Sequence, residues 1–310
     1  MDISVIIPVF NGEGYIEEAL RSVLEQTHPP QEIIVVDNGS TDRTTDIVER
    51  YPVKLLYEKK SGASLARITG REAATGDAFM FLDADDILGP TVLEELVAVL
   101  RKHPNAVALC PWKRYELIDG KWQVRPASSR AREGGEHPLA AWLTGWWHPP
   151  CSVLWSREAY ERSGGWDPSW CVNDDGDLAM RALVQDVPMI RTSGGTSYYR
   201  RLPEGEISLS GHRHSHRGLA SKITVIERIE KALEDKGKVH RFSIPLREVF
   251  EILAEEALEY PELAQRAKKG VIRNRPTVAH RAVHFVRRVI WKLGLKKDRP
   301  ECSGVAADPV

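Results

Sequence analysis

The first 110 residues alternate between two hydrophobic periods, and no other feature constrains the fold so strongly. Ile3–Val9 is a short β-branched run followed by Asn11-Gly12, a turn signal. Tyr15–Gln26 carries Ile16, Ala19, Leu20, Val23 and Leu24 at helical spacing. Glu32–Val36 is a second strand pattern, and Ser40 and Thr41 are N-cap types that predict a helix to about Tyr51. The pattern repeats with strands at Val53–Tyr57, Ala78–Leu82 and Val107–Cys110 and helices at Ser64–Thr75 and Thr91–His103. Apolar strands alternating with helices predict right-handed βαβ units and an α/β fold around a parallel sheet.

The rhythm then changes. Tyr115–Ile118 and Lys121–Val124 flank Asp119-Gly120, a type I′ hairpin signal, and the polar, Gly- and Arg-rich span from Pro126 to His137 reads as a loop. Ser152–Trp155 and Gly195–Arg200 read as later strands, with a helix over Asp177–Gln185. From about Gly218 the pattern is helical, with segments at Leu219–Leu233, Leu246–Leu258 and Val278–Leu293. A boundary between Leu209 and His216 divides the chain into 1–212 and a helical C-terminal region, 213–310.

Charge narrows the partners. Lys+Arg 43 against Asp+Glu 44 leaves a net −1, which argues against nucleic acid as a partner of the whole chain. The segment from Gln265 to Arg299 nevertheless holds 12 Lys/Arg and one acid, Asp298. Within it, Val278, Ala282, Phe285, Val286, Val289, Ile290 and Leu293 share one helical face, with Arg281, Arg287, Arg288 and Lys292 mostly opposite. Two readings stand: an interfacial helix on an anionic membrane, or an amphipathic helix packed on the body. Four separated cysteines, Cys110, Cys151, Cys171 and Cys302, form no metal or disulfide pattern. With no long apolar run and no basic, apolar leader, the expected location is cytoplasmic, peripheral at the inner face of the membrane if the tail docks there.

In an open parallel sheet, ligands bind beyond the carboxyl ends of the strands. Pro8, Phe10, Asn11 and Glu13 follow strand one, Asp37 follows strand two, and Asp83-Ala84-Asp85-Asp86 follows strand four. A single Asp there is most simply a turn former or helix cap. Three on one rim repel one another, so the cluster calls for a cation or a donor-rich ligand. Hard oxygen ligands favour Mg²⁺ or Mn²⁺, usually together with substrate phosphates. No Gly-rich dinucleotide or P-loop fingerprint follows strand one.

The ordered blocks V-I-I-P-V-F-N-G-E-G-Y-I, V-V-D-N-G-S-T-D-R-T and F-L-D-A-D-D resemble those of a family 2 glycosyltransferase of GT-A fold. The likeness continues more weakly through Gly164-Gly165-Trp166-Asp167, Asp174-Asp175-Gly176-Asp177-Leu178, Arg181 and Tyr199-Arg200 to about Ser208. It implies a doubly wound, mostly parallel sheet that binds a nucleotide-sugar donor, followed by a C-terminal helical extension. Carried over, it puts Pro8, Phe10 and Glu13 at the nucleoside end and makes Asp37 an acceptor for the base. Asn38 stands where many members have Asp, and Arg67 matches a basic position, followed here by Ile68 rather than Asn. Asp83 and Ala84 would line the donor, while Asp83 and Asp85 would hold Mn²⁺ or Mg²⁺. Asp175 matches the family's catalytic base, with Asp174 beside it in place of Glu. A further metal ligand would be His212 or His214, a solvated loop being the other reading.

Chemistry supports this independently. Transfer from a nucleoside diphosphate expels a charged leaving group that a divalent ion neutralises, and the attacking hydroxyl needs a base. The expected reaction is inverting sugar transfer, from a donor expected to be UDP-linked, to a hydroxyl of a glycan or lipid-linked saccharide. A sugar-nucleotide pyrophosphorylase is the enzymatic alternative, but Asn11-Gly12-Glu13-Gly14 lacks its Lys or Arg. A non-catalytic sugar-binding scaffold is the third reading. Trp146, Trp147, Trp166 and Trp170 could form an acceptor platform, though core packing is the commoner fate of Trp.

Overall fold

The computed structural model describes residues 1–132, 135–170, 172–203 and 213–277. The chain divides into two compact units. One comprises Met1–Ser128, His148–Ser169 and Val187–Ile207; the other comprises Ser129–Trp147, Trp170–Asp186 and Ser208–Val310. Segments 129–147 and 170–186 thus cluster with the C-terminal helices, although they precede the boundary drawn from sequence.

The first unit holds a seven-stranded sheet. Its strands are β1 (Ile3–Val9), β2 (Glu32–Asp37), β3 (Lys54–Tyr57), β4 (Ala78–Phe81), β6 (Val107–Leu109), β9 (Val153–Ser156) and β10 (Met189–Arg191), in the order β10-β6-β9-β4-β1-β2-β3. The sheet is mostly parallel, as expected. The exception is β9, antiparallel to both β4 and β6. All four β9 residues are buried, and such an apolar run carries no mark of its direction. Helices α1 (Ile16–Leu24), α2 (Thr44–Val48), α3 (Ala63–Ala73), α4 (Val92–Lys102) and α6 (Arg157–Ser163) complete the layers. At Gly70 of α3 a Cβ would lie 2.4 Å from Ile6 Cγ2, so only glycine lets α3 approach β1 this closely.

A second sheet, in the order β5-β11-β7-β8, joins β5 (Ile87–Leu88), β11 (Ser197–Arg201), β7 (Trp112–Ile118) and β8 (Lys121–Pro126). The predicted hairpin is present, with φ of 51° at Asp119 and 73° at Gly120. These left-handed values match the twist of the flanking strands.

Helix α2 is shorter than predicted. Ser40 and Thr41 are not its caps: Asn11 N–H donates to Ser40 Oγ at 2.8 Å, and Thr41 N–H donates to Asn11 Oδ1 at 2.8 Å. Tertiary partners therefore hold those residues in a loop, and the helix begins at Thr44.

The second unit is built from α5 (Pro138–Leu143), α7 (Asp174–Val184), α8 (His216–Asp235), α9 (Ser243–Glu256) and α10 (Pro261–Arg273). Helix α7 starts three residues before the predicted Asp177, so Asp174 and Asp175 lie inside its first turn rather than ahead of it. Asn173, at φ 64°, folds its amide over Gly176, where a Cβ would meet Asn173 Oδ1 at 2.0 Å.

Helix α10 was not among the predicted segments. Its buried stripe is Leu263, Ala264, Ala267 and Gly270, too small to stand out as a hydrophobic period. A Cβ at Gly270 would sit 2.5 Å from the Phe250 ring of α9, which explains the glycine there. Part of the basic tail is already paired here: Arg266 with Glu227, and Arg273 with Glu230 at 2.6 Å. The predicted amphipathic helix from Val278 to Leu293 lies outside the described residues. Among the described residues, no helix is long and apolar enough to cross a membrane.

Candidate active site

Strand β1 pairs with β2 on one side and β4 on the other, so the carboxyl ends of these three strands are neighbours. That adjacency brings Phe10, Asp37 and Asp83 to one rim. Pro8 is buried within β1, and Phe10, just past its end, is 50% exposed. Glu13 is tied to the loop before α2: its Oε2 accepts from Arg43 N–H at 3.1 Å and from Nε at 3.2 Å.

Asp37 is buried and accepts the amide hydrogens of Gly39 and Ser40 at 3.1 and 3.2 Å. It thus forms its own turn, the plainest role for an Asp after a strand. Asn38 donates to the carbonyls of Glu58 and Lys60 at 2.9 and 2.7 Å, and its Oδ1 accepts Gly62 N–H at 2.7 Å. An ionised Asp could accept the last bond but could not donate the first two, so Asn suits this position.

The acidic loop after β4 treats its three carboxyls differently. Asp83 Oδ1 accepts from Arg67 Nη2 at 2.6 Å. Arg67 is buried on α3, its guanidinium 4.5 Å from the Trp166 ring centroid, and Trp166 in turn meets Phe81 edge-on at 5.1 Å. Ala84 is half-buried and packs against the core. Burial first, then the Asp83 charge, pushes the Asp85 carboxyl up to about 7, with Arg200 and Arg67 pulling the other way.

Asp86 is fully buried, and its Oδ1 accepts Arg200 N–H at 2.8 Å. Burial and the charges of Asp85 and Asp83 raise its pKa well above the ordinary carboxylate range. Sequence reasoning assigned Asp86 no role, because spacing in D-A-D-D does not distinguish an inward acid from an outward one.

Two carboxylates two residues apart, one of them held against its neighbour's charge, form a hard-oxygen donor set that fits a divalent cation. Among the described residues, no third His, Cys, Asp or Glu completes a metal-binding group. His212 lies outside the described residues. His214 is exposed, and its Nε2 accepts from Arg213 Nε at 3.0 Å.

Asp174 and Asp175 belong to the second unit. Both are half-buried in the first turn of α7, where carboxylates complement the partial positive charge of the helix start. Asp175 Oδ1 accepts Gly176 N–H at 2.8 Å. Asp177 is fully buried between Arg181 Nε at 2.8 Å and Arg228 Nη1 at 3.5 Å. Arg228 also stands 5.8 Å from the Trp170 ring centroid. Sequence reasoning gave Arg228 no role, since its 51-residue separation from Asp177 leaves no local signal.

The aromatic platform is corrected in part. Trp146 and Trp166 are buried, the former edge-on to Trp142 at 5.6 Å, and neither offers a free face; Trp147 and Trp170 are half-buried. His148 is a core residue 3.1 Å from Ser152 Oγ, lowered to about 3 by burial and by Arg191.

A mostly parallel sheet with one antiparallel strand inserted, and an acidic loop at the carboxyl end of a central strand, defines a GT-A-type glycosyltransferase fold. The model for Glycosyl transferase family 2 matches residues 4–162. The chain belongs to that family. It is 35% identical over 188 residues to an uncharacterized glycosyltransferase, alr2836, of Nostoc sp., a match covering 57% of this chain and 58% of that protein. The chain thus spans little more than half of that relative's length. By fold it is similar to S. aureus TarS 1-349, with TM-score 0.61, 18% identity, and coverage of 96% of this chain and 93% of that one. It is also similar to TarS 1-349 in complex with UDP-GlcNAc, with TM-score 0.57, 19% identity, and coverage of 93% and 92%.

Proposed function

We propose that this chain is a metal-dependent, inverting hexosyltransferase. It transfers a sugar from a UDP-linked donor to a hydroxyl of a glycan or lipid-linked saccharide. The observation that carries the reading is the Asp83–Asp85 pair at the end of β4, with the Asp85 carboxyl pushed up to about 7 and Arg67 fixed against Asp83. The UDP-GlcNAc named for the TarS complex supports a uridine nucleotide as carrier.

In this reading Phe10 lends an apolar surface to the nucleoside, with Pro8, Glu13, Asp37 and Asn38 shaping the rim around it. Asp83, Ala84 and Arg67 line the donor, and Asp83 and Asp85 would hold Mn²⁺ or Mg²⁺. When bound, that ion would supply charge neutralisation for the departing diphosphate. Asp175 takes the proton of the acceptor hydroxyl while the acceptor oxygen attacks the anomeric carbon. The carbon–oxygen bond to the diphosphate breaks, the electron pair leaves with UDP, and attack from the opposite face inverts the anomeric centre. Asp174 flanks the base.

The test is a panel of nucleotide sugars assayed with Mn²⁺ and with chelator, reading nucleoside diphosphate release and the anomeric configuration of the product. Asp85→Ala should abolish Mn²⁺-dependent UDP binding while leaving the melting curve cooperative. Unchanged affinity in that variant would sink the metal assignment, and a retained anomeric configuration would overturn the inverting mechanism.

The basic segment 265–299 is proposed to hold the enzyme at an anionic membrane, on the cytoplasmic face. Each Lys or Arg near such a surface contributes about 1 kcal/mol. The Arg266 and Arg273 pairs reduce the charge available for it. Binding to anionic but not neutral liposomes, weakening with salt, would support docking; indifference to both would favour packing on the body.

A further inference from the structure

Arg200 is heavily engaged within the first unit, and sequence reasoning gave it no task. It lies near the end of β11 and is 4% exposed. Its main-chain N–H donates to Asp86 Oδ1 at 2.8 Å, and its Nε donates to the carbonyl of Asp85 at 2.6 Å. Its Nη2 donates to Glu18 of α1.

The guanidinium also lies among three rings, 4.6 Å from the centroid of Trp122, 4.9 Å from that of Tyr15 and 5.1 Å from that of Tyr115. Tyr115 and Trp122 stack on each other across the β7–β8 hairpin, with centroids 5.1 Å apart. One side chain therefore grips the acidic loop with one edge and the aromatic hairpin with its faces. Only a planar, multi-donor cation can do both at once.

We propose that Arg200 is a positioning residue for the donor site, resting on the glycosyltransferase reading above. By holding the Asp85 carbonyl and the Asp86 carboxyl, it fixes the direction in which the Asp85 side chain leaves the loop. By resting on Tyr115 and Trp122, it makes that direction depend on the packing of the hairpin. Without the grip, Asp83 and Asp85 repel and move apart, and the loop loses its readiness for a cation carrying a diphosphate. Strand β11 reinforces the link, pairing with β5 just after the acidic loop and with β7 of the hairpin.

The test compares Arg200→Lys, Trp122→Ala and Trp122→Phe with the full-length wild-type chain. Hydrogen exchange over residues 83–88 reports the loop without any nucleotide. Calorimetry with UDP, in Mn²⁺ and in chelator, reports the site. Arg200→Lys and Trp122→Ala should both speed exchange over 83–88. They should also lower the Mn²⁺-dependent affinity for UDP about ten-fold, equivalent to about 1.4 kcal/mol. Affinity in chelator should stay within about two-fold, and Trp122→Phe, which keeps a ring face for the guanidinium, should recover most of the loss.

Wild-type exchange and wild-type affinity in Trp122→Ala would overturn the coupling, even if Arg200→Lys fails to fold. Equal losses with and without Mn²⁺ would also overturn it, because they mark a general defect of the fold. A wild-type protein that binds no UDP in Mn²⁺ would refute the metal-dependent, UDP-linked donor of the proposed function instead, and the exchange comparison would still decide whether Arg200 couples loop and hairpin.

Discussion

Two acidic clusters look alike in sequence and are handled differently in space. Asp83-Ala84-Asp85-Asp86 follows a central strand of the first unit; Asp174-Asp175-Gly176-Asp177 opens a helix of the second. In both, the last acid is fully buried and the earlier two stay half-buried. The strand-end cluster has the Arg67 guanidinium on Asp83, that of Arg200 on the Asp85 carbonyl, and the Arg200 main-chain N–H on Asp86. The helix-start cluster has the dipole of α7 and two guanidiniums on Asp177. In the proposed function the first takes a divalent cation between Asp83 and Asp85. The second is compensated at Asp177 by the protein itself, and the proposed function makes Asp175 the base.

The sharpest way to break this comparison is at Asp175. Asp175→Asn keeps size and hydrogen bonding but removes the base, so kcat should fall by about 10²–10⁴ with donor affinity nearly unchanged. Steady-state kinetics alongside UDP calorimetry would check it. Loss of affinity with kcat preserved would move Asp175 into the metal shell and erase the distinction between the clusters.

The two buried acids offer the next test, read as stability. Asp177→Asn removes one partner of a buried ion pair and should destabilise by about 3 kcal/mol. Asp86→Asn should cost less than about 1 kcal/mol, because Asn resembles the neutral carboxyl that burial already favours there. Chemical denaturation of both variants decides, and similar losses would show that the two sites are handled alike.

The smallest effect is one of pH. Asp85 and Asp86 are both raised in the folded protein, so between the unfolded value near 4 and about 7 the folded state binds more protons than the unfolded state. Stability of the metal-free protein should therefore fall as pH rises through that window, and Asp85→Asn should flatten the fall. Thermal melts in chelator from pH 4 to 7.5 provide the measurement, and Mn²⁺ should restore stability most at the upper end. A slope that Asp85→Asn leaves unchanged would place the titration elsewhere.

Much of the first unit was legible in the sequence. The strand and helix periods of residues 3–110, the Asp119-Gly120 turn and the acids at strand ends all depend on neighbours within a few positions. Hydrophobic period reports which face is buried, and turn chemistry reports where the chain must reverse. The second unit was less legible. The stripe of α10 ends in Gly270 because Phe250 of α9 lies so close there, and that closeness has no trace in local pattern.

What the sequence by itself determined was a set of elements, each with a face to bury, and a rim of carboxylates at the ends of parallel strands. Only the tertiary structure decided that β9 enters the sheet backwards between β4 and β6, and that Asp86 turns inward while Asp85 stays at the rim. It alone brought Arg200 to the Asp85 carbonyl across 115 positions of chain. The physical reason is common to all three. A periodic pattern encodes that a surface must be covered, whereas the partner that covers it is chosen by packing among segments far apart in sequence.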